Sequence, residues 1–413
     1  MMSLTYIHNG TIIDGTGSAP ITNGAVLIRD GRIESVGRGA DVPVPDHEAV
    51  ERVDARGGTI LPGFIDCHVH LTSQNFGPED RYFVPETYQV LKTAVYAKRT
   101  VEAGVTSVRD AGGADRGVQR ALDEGVILGP RTKIAVAMLS ITGGHGDAYS
   151  PSLGLRLTSP LRVSGVCDGV DGVRTKVREV LRAGAQVIKV ATSGGVLSPT
   201  DNPEDAHFTQ AELEAIVDEA RMHGNKKAMA HAQAATGIKN AVRAGFHSIE
   251  HGIYLDDEAI DLMLQHGTYL VPTLIAPLSV LKAAENGQRV AAWAVEKSKR
   301  VMEAHQQSIA RAHQAGVKIA MGTDSGVGPH GTNLEELALM VEIGMSPMEA
   351  IVASTRVAAD CLEWSDEVGT LSSGKLADVV IAAQDPLSDI RSLGDTDNIV
   401  WVMKGGSVVK NRI

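Results

Sequence analysis

Residues 63–70 read Gly-Phe-Ile-Asp-Cys-His-Val-His, and the interpretation of the whole chain starts from them. The run predicts a β-strand. Asp66, His68 and His70 alternate along it and therefore share one face, while Cys67 points to the other face. Two histidines at this spacing can bind one cation, whereas Cys67 is not expected to be a ligand. An H-x-H pair alone is a weak signal, so its meaning depends on the residues further along the chain.

After this segment, short β-like runs alternate with helical stretches up to about residue 365. The helical stretches include residues 209–224 and the long segment 282–316, which Gly316 would end. Strand–helix alternation indicates a parallel sheet, and eight such units over about 300 residues suit an α/β protein with a (β/α)8 TIM-like barrel. A doubly wound open sheet is the alternative, but no glycine fingerprint comes after the first strand. The predicted strands are 63–70, 106–110, 132–138, 187–192, 227–231, 247–251, 268–273 and 318–324.

The two ends of the chain have a different pattern. Both consist of short alternating runs broken by turns, with a hairpin signal at Asp30-Gly31. We therefore expect one small β-sandwich domain built from residues 1–61 plus 366–413, and a barrel domain formed by residues 62–365. Two unrelated caps are the alternative to a shared terminal domain.

Composition excludes several classes of protein. The 413 residues include 39 basic and 50 acidic ones, for a formal net charge of −11, and 43% are hydrophobic. There is no basic run to bind nucleic acid, no stretch of roughly 18 apolar residues to span a membrane and no signal-like start. Three widely spaced cysteines do not form a disulfide framework. We expect a cytoplasmic protein that binds neither nucleic acid nor membrane.

Four more residues with ligand chemistry fall at or near the ends of later predicted strands. Lys189 lies in the apolar run QVIKVATSGG, His231 in KKAMAHA and His251 in HSIEHG, while Asp324 closes the run before the final SG of KIAMGTDSG. The carboxyl ends of barrel strands meet at one face, which is where a barrel carries its chemistry. Together with the H-x-H pair, these residues predict a metal site.

Lys189 is the unusual member of this set. Its neighbours Ile188 and Val190 are apolar, and burial shifts the pKa of a lysine toward the neutral amine. A neutral amine can react with CO2 to give a carbamate, an anionic ligand whose two oxygens can bridge two metal ions. A lysine that reaches solvent from a strand end is the alternative.

With these motifs in place, the chain resembles the amidohydrolase superfamily. GFIDCHVH, the strand lysine, the two later histidines and GTDSG occur in that superfamily's order, and the resemblance extends to GTLSSGKLADVVI near the end. Within the superfamily the chain is most similar to the branch of Xaa-Pro dipeptidases, prolidases and imidazolonepropionase-related hydrolases. ITGGHGD, KVATSGGVLSPTDNP and IEHGIYLDDE carry this closer resemblance.

The resemblance implies a site with two divalent metal ions, most often Zn2+. It assigns His68, His70 and Asp324 to one ion and His231 and His251 to the other. A carbamate on Lys189, formed from CO2, and a hydroxide would bridge them. Asp324 would also take a proton from the attacking water and pass it to the leaving amine. Spacing alone does not distinguish zinc from cobalt, manganese or iron, and a helix N-cap is the alternative role of Asp324.

Further residues are expected near the substrate. His145 and Tyr254 would donate to the carbonyl oxyanion or bind a substrate carboxylate, with a loop histidine and a packed tyrosine as alternatives. Gly194 and Gly195 would let the backbone approach the substrate, unless they form an ordinary turn. Segment 72–88 is expected to border the pocket. A structural Arg109–Asp110 ion pair is favoured over substrate contacts. Surface or capping roles are expected of the remaining loop and helix histidines, namely His8, His47, His207, His223, His266, His305, His313 and His330.

These assignments predict a metal-dependent hydrolase that cleaves an amide bond of a small molecule. Dipeptides or N-acyl amino acids with a free carboxylate are the expected substrates, and cyclic amides, aryl amides and carbamates are the alternatives. A non-catalytic assembly protein that keeps the barrel is a remote alternative, because such relatives usually lose ligands. Homo-oligomers are common in this family, so the resemblance leaves a homo-oligomer open, and the sequence does not determine the oligomeric state.

Overall fold

A sheet built from both chain ends makes up one part of the molecule. The structure, a computed structural model, describes residues 4–45, 49–74, 84–150, 154–156 and 162–413. The strands of this sheet are β1 (Leu4–Ile12), β2 (Ile21–Arg29), β3 (Arg32–Arg38), β4 (Glu51–Asp54), β5 (Thr59–Pro62), β16 (Val379–Ala382), β17 (Ile399–Lys404) and β18 (Ser407–Asn411). Their order is β18-β17-β16-β5-β1-β2-β3, with β4 paired to β1. Asp30 and Gly31 both adopt positive φ in the turn between β2 and β3, as the hairpin signal predicts.

The middle of the chain forms two parallel sheets. Their strands are β6 (Phe64–Val69), β7 (Val105–Asp110), β8 (Arg131–Ile134), β9 (Met138–Leu139), β12 (Ile188–Ala191), β13 (Ala228–Ala232), β14 (Ser248–His251) and β15 (Tyr269–Val271). The sheets have the orders β6-β7-β8 and β15-β14-β13-β12-β9. A two-stranded antiparallel pair joins β10 (Tyr149–Ser150) to β11 (Leu155–Arg156). The chain is therefore α/β with both parallel and mixed sheets.

Residues 318–324 lie between the two parallel sheets. Leu270 N donates to Lys318 O at 2.8 Å on one side, and Cys67 N donates to Met321 O at 2.9 Å on the other. The predicted regular strand here is wrong, because the segment makes only isolated bridges and Asp324 turns into the left-handed region, with φ of 59°. The predicted strand 132–138 is also interrupted, since Val136 has φ of 67° between β8 and β9.

Helices come after most of the parallel strands. The capping box at Thr209, where Glu212 N donates to the threonine hydroxyl and Thr209 N donates to the glutamate, starts one of them. The predicted helical stretch 282–316 belongs to two helices, because the first ends at Glu285, just before Gly287 with its positive φ, and the second begins at Ala292. The helices are α1 (Glu86–Glu102), α2 (Arg116–Asp123), α3 (Gly169–Arg182), α4 (Gln210–Met222), α5 (Ala235–Ala244), α6 (Asp257–His266), α7 (Ile275–Glu285), α8 (Ala292–Ala315), α9 (Glu335–Glu342), α10 (Pro347–Ala353) and α11 (Arg356–Cys361).

Apolar side chains from the parallel strands and the helices form the main core, and Ile7, Ile60 and Trp401 belong to a second core in the terminal sheet. Arg131 at the start of β8 connects the two parts, because it donates to Asp378 at 2.7 Å just before β16. Within the described ranges, no helix has both the length and the low polarity that crossing a bilayer requires.

Candidate metal centre and active site

The parallel strands bring the predicted ligands together. Asp324 Oδ1 lies 3.5 Å from His68 Nε2 and 3.2 Å from His70 Nε2. Lys189 Nζ, from β12, is 3.3 Å from the same Nε2 of His68. The ring centroids of His68 and His251 are 5.1 Å apart. Residues separated by more than 250 positions in sequence therefore share one small volume.

Most of the predicted histidine ligands have one ring nitrogen bound to a protein acceptor. His68 Nδ1 donates to Glu250 Oε2 at 2.9 Å, and His70 Nδ1 donates to Gly112 O at 2.7 Å. Carboxylate and carbonyl oxygens only accept, so the proton of each neutral ring sits on Nδ1 and the lone pair is on Nε2. His231 is bound the other way round, because its Nε2 donates to the backbone oxygen of Gly194 at 3.1 Å, which leaves Nδ1 with the lone pair.

These bonds create a cluster of hydrogen-bond acceptors, the acceptor cluster, which consists of His68, His70, His251 and Asp324. Nε2 of His68 and Nε2 of His70 both face Asp324 Oδ1, a buried oxygen that receives no hydrogen bond. One ligand atom from each of His68, His251 and Asp324 lies within 4.8 Å of the other two. Lone pairs that face one another at this range repel unless a cation lies among them. Imidazole and carboxylate are ligands that zinc and related divalent ions bind, so these residues fit a metal ion.

Burial sets the charge of the site. It lowers the pKa values of His68, His231 and His251 well below the ordinary range, so these rings are neutral at neutral pH. It also lowers the pKa of Lys189 to about 8. His70 and Asp324 form a different pair. Asp324 raises the pKa of His70 and the facing histidines lower that of Asp324, in both cases against the effect of burial. This pair therefore favours a positive charge between His70 Nε2 and the carboxylate, which a divalent cation would supply, while the neutral His68, His231 and His251 are in the protonation state that metal binding needs.

Two of these residues have unusual backbone conformations. His251 has φ of 72° and Asp324 has φ of 59°, in the left-handed region that side chains other than glycine rarely adopt. Such a conformation costs about 1–3 kcal/mol and persists where the surrounding structure imposes it, which is common at functional sites. Both residues lie at the point where the chain leaves the parallel sheets.

A cavity with an aliphatic wall adjoins the acceptor cluster. His145, His231, His251 and Asp324 line its polar side. Apolar residues of the loops after β12, β14 and segment 318–324, and of α7 and α8, form much of the rest: Leu197, Ile253, Val327, Pro277, Val280 and Val301. A pocket that is mostly apolar with a few convergent polar groups is typical of a small-molecule site.

Comparison with known proteins agrees with this geometry. The family model for the amidohydrolase family matches residues 59–409. The chain belongs to the amidohydrolase family. Ochratoxinase of Aspergillus niger is 35% identical over 433 aligned positions, which cover 98% of this chain and 87% of that protein. The protein is a metal-dependent amide hydrolase, and the predicted membership of the dipeptidase branch is confirmed.

Two solved structures are similar to this amidohydrolase over nearly their whole length. A prolidase complexed with N-methylphosphonate-L-proline has a TM-score of 0.91 and 34% identity, covering 99% of this chain and 100% of the other. A Xaa-Pro dipeptidase with methionine bound in its active site has a TM-score of 0.89 and 33% identity, covering 98% and 99%.

Glu250 is a site residue that the sequence did not single out. Its Oε2 accepts from His68, while its Oε1 accepts from Arg109 Nη2 at 2.8 Å and from Ser248 Oγ at 2.6 Å. The predicted Arg109–Asp110 ion pair is wrong, because neighbouring residues of a strand point to opposite sides. Asp110 instead accepts from backbone N–H groups, those of Leu71, Gly112 and Ala114.

Asp66, the third residue on the H-x-H face, supports the site from outside the acceptor cluster. It accepts from Thr323 Oγ1 at 2.6 Å, from Asn333 Nδ2 at 2.7 Å and from two backbone N–H groups. Its oxygens are thus occupied by protein donors. Because Thr323 directly precedes Asp324, these bonds hold the backbone from which the Asp324 carboxylate reaches the acceptor cluster.

The four residues predicted to contact substrate, His145, Tyr254, Gly194 and Gly195, have different neighbours in the structure. His145 stacks on His231, with centroids 4.2 Å apart, whereas the Tyr254 hydroxyl donates to Glu204 at 3.0 Å. The two glycines are packed by the protein itself: a Cβ on Gly194 would lie 2.1 Å from the backbone oxygen of Asn202, and one on Gly195 would lie 2.3 Å from the ring of His145. Their lack of side chains is therefore explained by these neighbours.

Three histidines expected at the surface or at helix ends are buried, and that expectation is wrong for them: His207, His305 and His330. His305 of α8 bonds through Nε2 to the backbone oxygens of His251 at 3.0 Å and of Pro272 at 2.8 Å. It therefore holds the ends of two strands next to the cavity. Residues 75–83 of the predicted pocket border lie outside the described residues, as does His47.

Proposed function

We propose that the protein hydrolyses the amide bond of dipeptides or N-acyl amino acids that have a free carboxylate and an aliphatic side chain. The observation that carries the proposal is the convergence of His68, His70 and Asp324 acceptors beside an aliphatic cavity. The similar prolidase, complexed with N-methylphosphonate-L-proline, supports a substrate that ends in an amino-acid carboxylate.

We further propose that the site binds two divalent metal ions and that both are Zn2+. His68, His70 and Asp324 hold one of them, and His231 and His251 hold the other. The neutral amine of Lys189 would add to CO2 and lose a proton, and the resulting carbamate would be a further anionic ligand for the two ions. The chemistry that such ions would supply is polarisation of the scissile carbonyl and a pKa of about 7 for a bound water.

The chain's own residues then manage the proton. Asp324 Oδ1 faces the two histidines of the H-x-H pair, which leaves Oδ2 to take the proton of the attacking water and deliver it to the leaving amine. His145 and Tyr254 are assigned to substrate binding and catalysis. The neutral state of the buried histidines keeps their lone pairs free for binding metal.

The same proposal includes the architecture. The two parallel sheets, joined through residues 318–324, form a closed (β/α)8 barrel over residues 62–365. Residues 1–61 plus 366–413 form a β-sandwich domain around it. The bonds on both sides of segment 318–324 support closure, and the eight-stranded sheet that contains both chain ends supports the shared domain.

A hydrolysis screen tests the function. The zinc-loaded protein is assayed against L-dipeptides and N-acyl amino acids with varied side chains, with and without a chelator. We expect chelator-sensitive release of free amino acid, fastest for aliphatic side chains. Asp324→Asn should lower kcat by about 10²-fold or more, the usual contribution of general acid–base catalysis, with a smaller change in KM. Turnover confined to cyclic amides, aryl amides or carbamates would contradict the substrate class.

A further inference from the structure

The loop after β12 contributes two side chains to the aliphatic wall of the cavity. Val196 and Leu197 line the cavity, although the chain from residue 195 to residue 204 contains neither helix nor strand. Both side chains pack against a small buried cluster that belongs to α7, to α8 and to the loop after segment 318–324. Its members are Val280, Ala294 and Val327. The position of this part of the wall therefore depends on the contacts that hold the irregular loop.

Lys297 of α8 holds this loop from the side of the helix. Its Nζ donates to the backbone oxygens of Gly195 at 3.1 Å and of Ser198 at 2.8 Å, and also to that of Asp201. Gly195 and Ser198 are the residues directly before and after the two that line the cavity. All three N–H bonds of the ammonium are thereby used. Lys297 is only 7% exposed, and a charged group is tolerated at such burial when its hydrogen bonds are satisfied.

Two further contacts separate the tip of the loop from its base. Asp201 Oδ1 accepts from Gly195 N at 3.0 Å, so the two ends of the segment that Lys297 binds are joined to each other. At the base, Gly194 N donates to Asp205 O at 2.9 Å, a bond in which Lys297 takes no part. Loss of the lysine would therefore release the tip of the loop from α8, while the base next to the metal centre keeps its own bond.

We propose that Lys297 is a positioning residue for substrate specificity, because it fixes Val196 and Leu197 where a large aliphatic side chain of the substrate packs on them. The inference rests on the proposed function. In the described part of the chain, the lining of the cavity does not include Lys297, so the lysine acts through the loop. A gap of about 0.5–1 Å already forfeits a quarter to a half of the attraction between facing apolar atoms. Release of the loop therefore weakens the preference for a large side chain over a small one.

Three dipeptides test the specificity role in the zinc-loaded protein. L-leucyl-L-alanine and L-alanyl-L-leucine each have three more carbon atoms than L-alanyl-L-alanine, at one or the other side-chain position. We expect the wild type to have a KM about tenfold lower, or more, for one of the leucine dipeptides than for the alanine dipeptide. In Lys297→Met, which removes the charge from a side chain of similar length, this ratio should fall to about threefold or less, with a smaller change in kcat. Lys297→Arg, which keeps a cation with several N–H donors, should recover part of the ratio.

Amide hydrogen exchange, followed by mass spectrometry, tests the positioning role without a substrate. We expect the peptide that covers residues 195–201 to exchange faster in Lys297→Met than in the wild type, because local opening is easier once the loop is released. Lys299→Met is the matched control, since Lys299 is an exposed lysine of the same helix. It should keep both the wild-type exchange and the wild-type KM ratio. Equal exchange in Lys297→Met and the wild type would overturn the positioning role.

The possible failures are separable. A wild type that prefers neither leucine dipeptide, or a Lys297→Met protein with the wild-type ratio, would overturn the specificity role and leave amide hydrolysis intact. Hydrolysis of no amide in the screen would contradict the proposed function and with it the specificity role, whereas the exchange would still decide whether Lys297 holds the loop. If Lys297→Met does not fold, Leu197→Ala replaces it. This variant shortens the wall at a half-buried loop position and should lower the same ratio, and an unchanged ratio would overturn the proposal.

Discussion

At the scale of single residues, hydrogen-bond direction organises the candidate metal centre. Glu250, Gly112 O and Gly194 O each occupy one nitrogen of a histidine ring. The second nitrogen of each ring is then an acceptor. Partners of this kind orient a ligand and fix its tautomer before the metal binds, and their loss typically weakens metal binding about 10–100-fold.

Glu250→Gln tests this at His68. The amide accepts through one oxygen only, so either His68 or Arg109 loses its charged partner. We expect zinc affinity to fall by about 10–100-fold, with loss of thermal stability because Arg109 remains buried without a counter-charge. A competition titration with a chromophoric chelator measures the affinity. Glu363→Gln, which alters a half-exposed carboxylate, is the control. Unchanged affinity in Glu250→Gln would contradict the positioning role.

Lys189→Ala tests the proposed carbamate. We expect loss of metal and of activity, and partial recovery of both when a short carboxylic acid such as propionate supplies the missing oxygens. Elemental analysis of the purified protein measures the metal. Lys318→Ala, which removes an exposed lysine, should keep full metal content. A Lys189→Ala protein with unchanged metal would show that no bridge forms at this residue.

At the scale of elements, the start of α7 depends on a distant side chain. Glu336, in α9, accepts from Leu274 N at 2.7 Å through Oε1 and from Ile275 N at 2.8 Å through Oε2. Two N–H groups at the helix start are satisfied by one buried carboxylate. Because α7 contributes Pro277 and Val280 to the cavity wall, this contact sets the position of that wall.

Glu336→Gln should destabilise the protein and loosen substrate binding. A glutamine offers one oxygen, so its NH2 group faces an N–H donor that is left unsatisfied, at a cost of about 1–3 kcal/mol. We expect a fall in Tm of a few degrees and a higher KM for aliphatic substrates. Glu335→Gln, at the neighbouring and more exposed position, is the control, because its ion pair with Lys282 lies at the surface. Equal Tm values for the two variants would contradict the capping role.

At the scale of the whole molecule, the acceptor cluster joins elements that are far apart in the chain. His68 and His251 lie in the two different parallel sheets and Asp324 in the segment between them, and their lone pairs repel one another without a cation. Metal binding is therefore expected to stabilise the folded chain as a unit. The predicted cytoplasmic location stays a prediction, and the oligomeric state stays open.

Removing the metal tests this expectation. A ligand that binds only the folded state at about 100 times its Kd adds about 2.7 kcal/mol to the free energy of unfolding. We expect dialysis against a chelator to lower Tm, and zinc to restore it, in differential scanning calorimetry. Lys189→Ala should show a smaller shift on chelation than the wild type. An identical Tm for the metal-free and zinc-loaded wild type would contradict metal binding at this cluster.

The sequence by itself determined the family, the alternation of strands and helices, and the side chains that form the acceptor cluster. These are local properties: strand periodicity puts His68 and His70 on one face, and parallel strands bring their ends to one edge. The segment before Asp324 departs from the prediction because its bonds to Leu270 and Cys67 hold it without a regular ladder.

The tertiary structure alone decided which partner fixes each ring and which side chains shape the cavity. His68 meets Glu250 across 182 positions, and Ser198 meets His145 across 53. Such partners leave no periodic signal, because a buried polar atom selects its partner by proximity in space and by the need to satisfy every hydrogen bond. The side chains proposed to bind the metal are thus visible in the sequence, and the tautomers that would let them bind are set by packing.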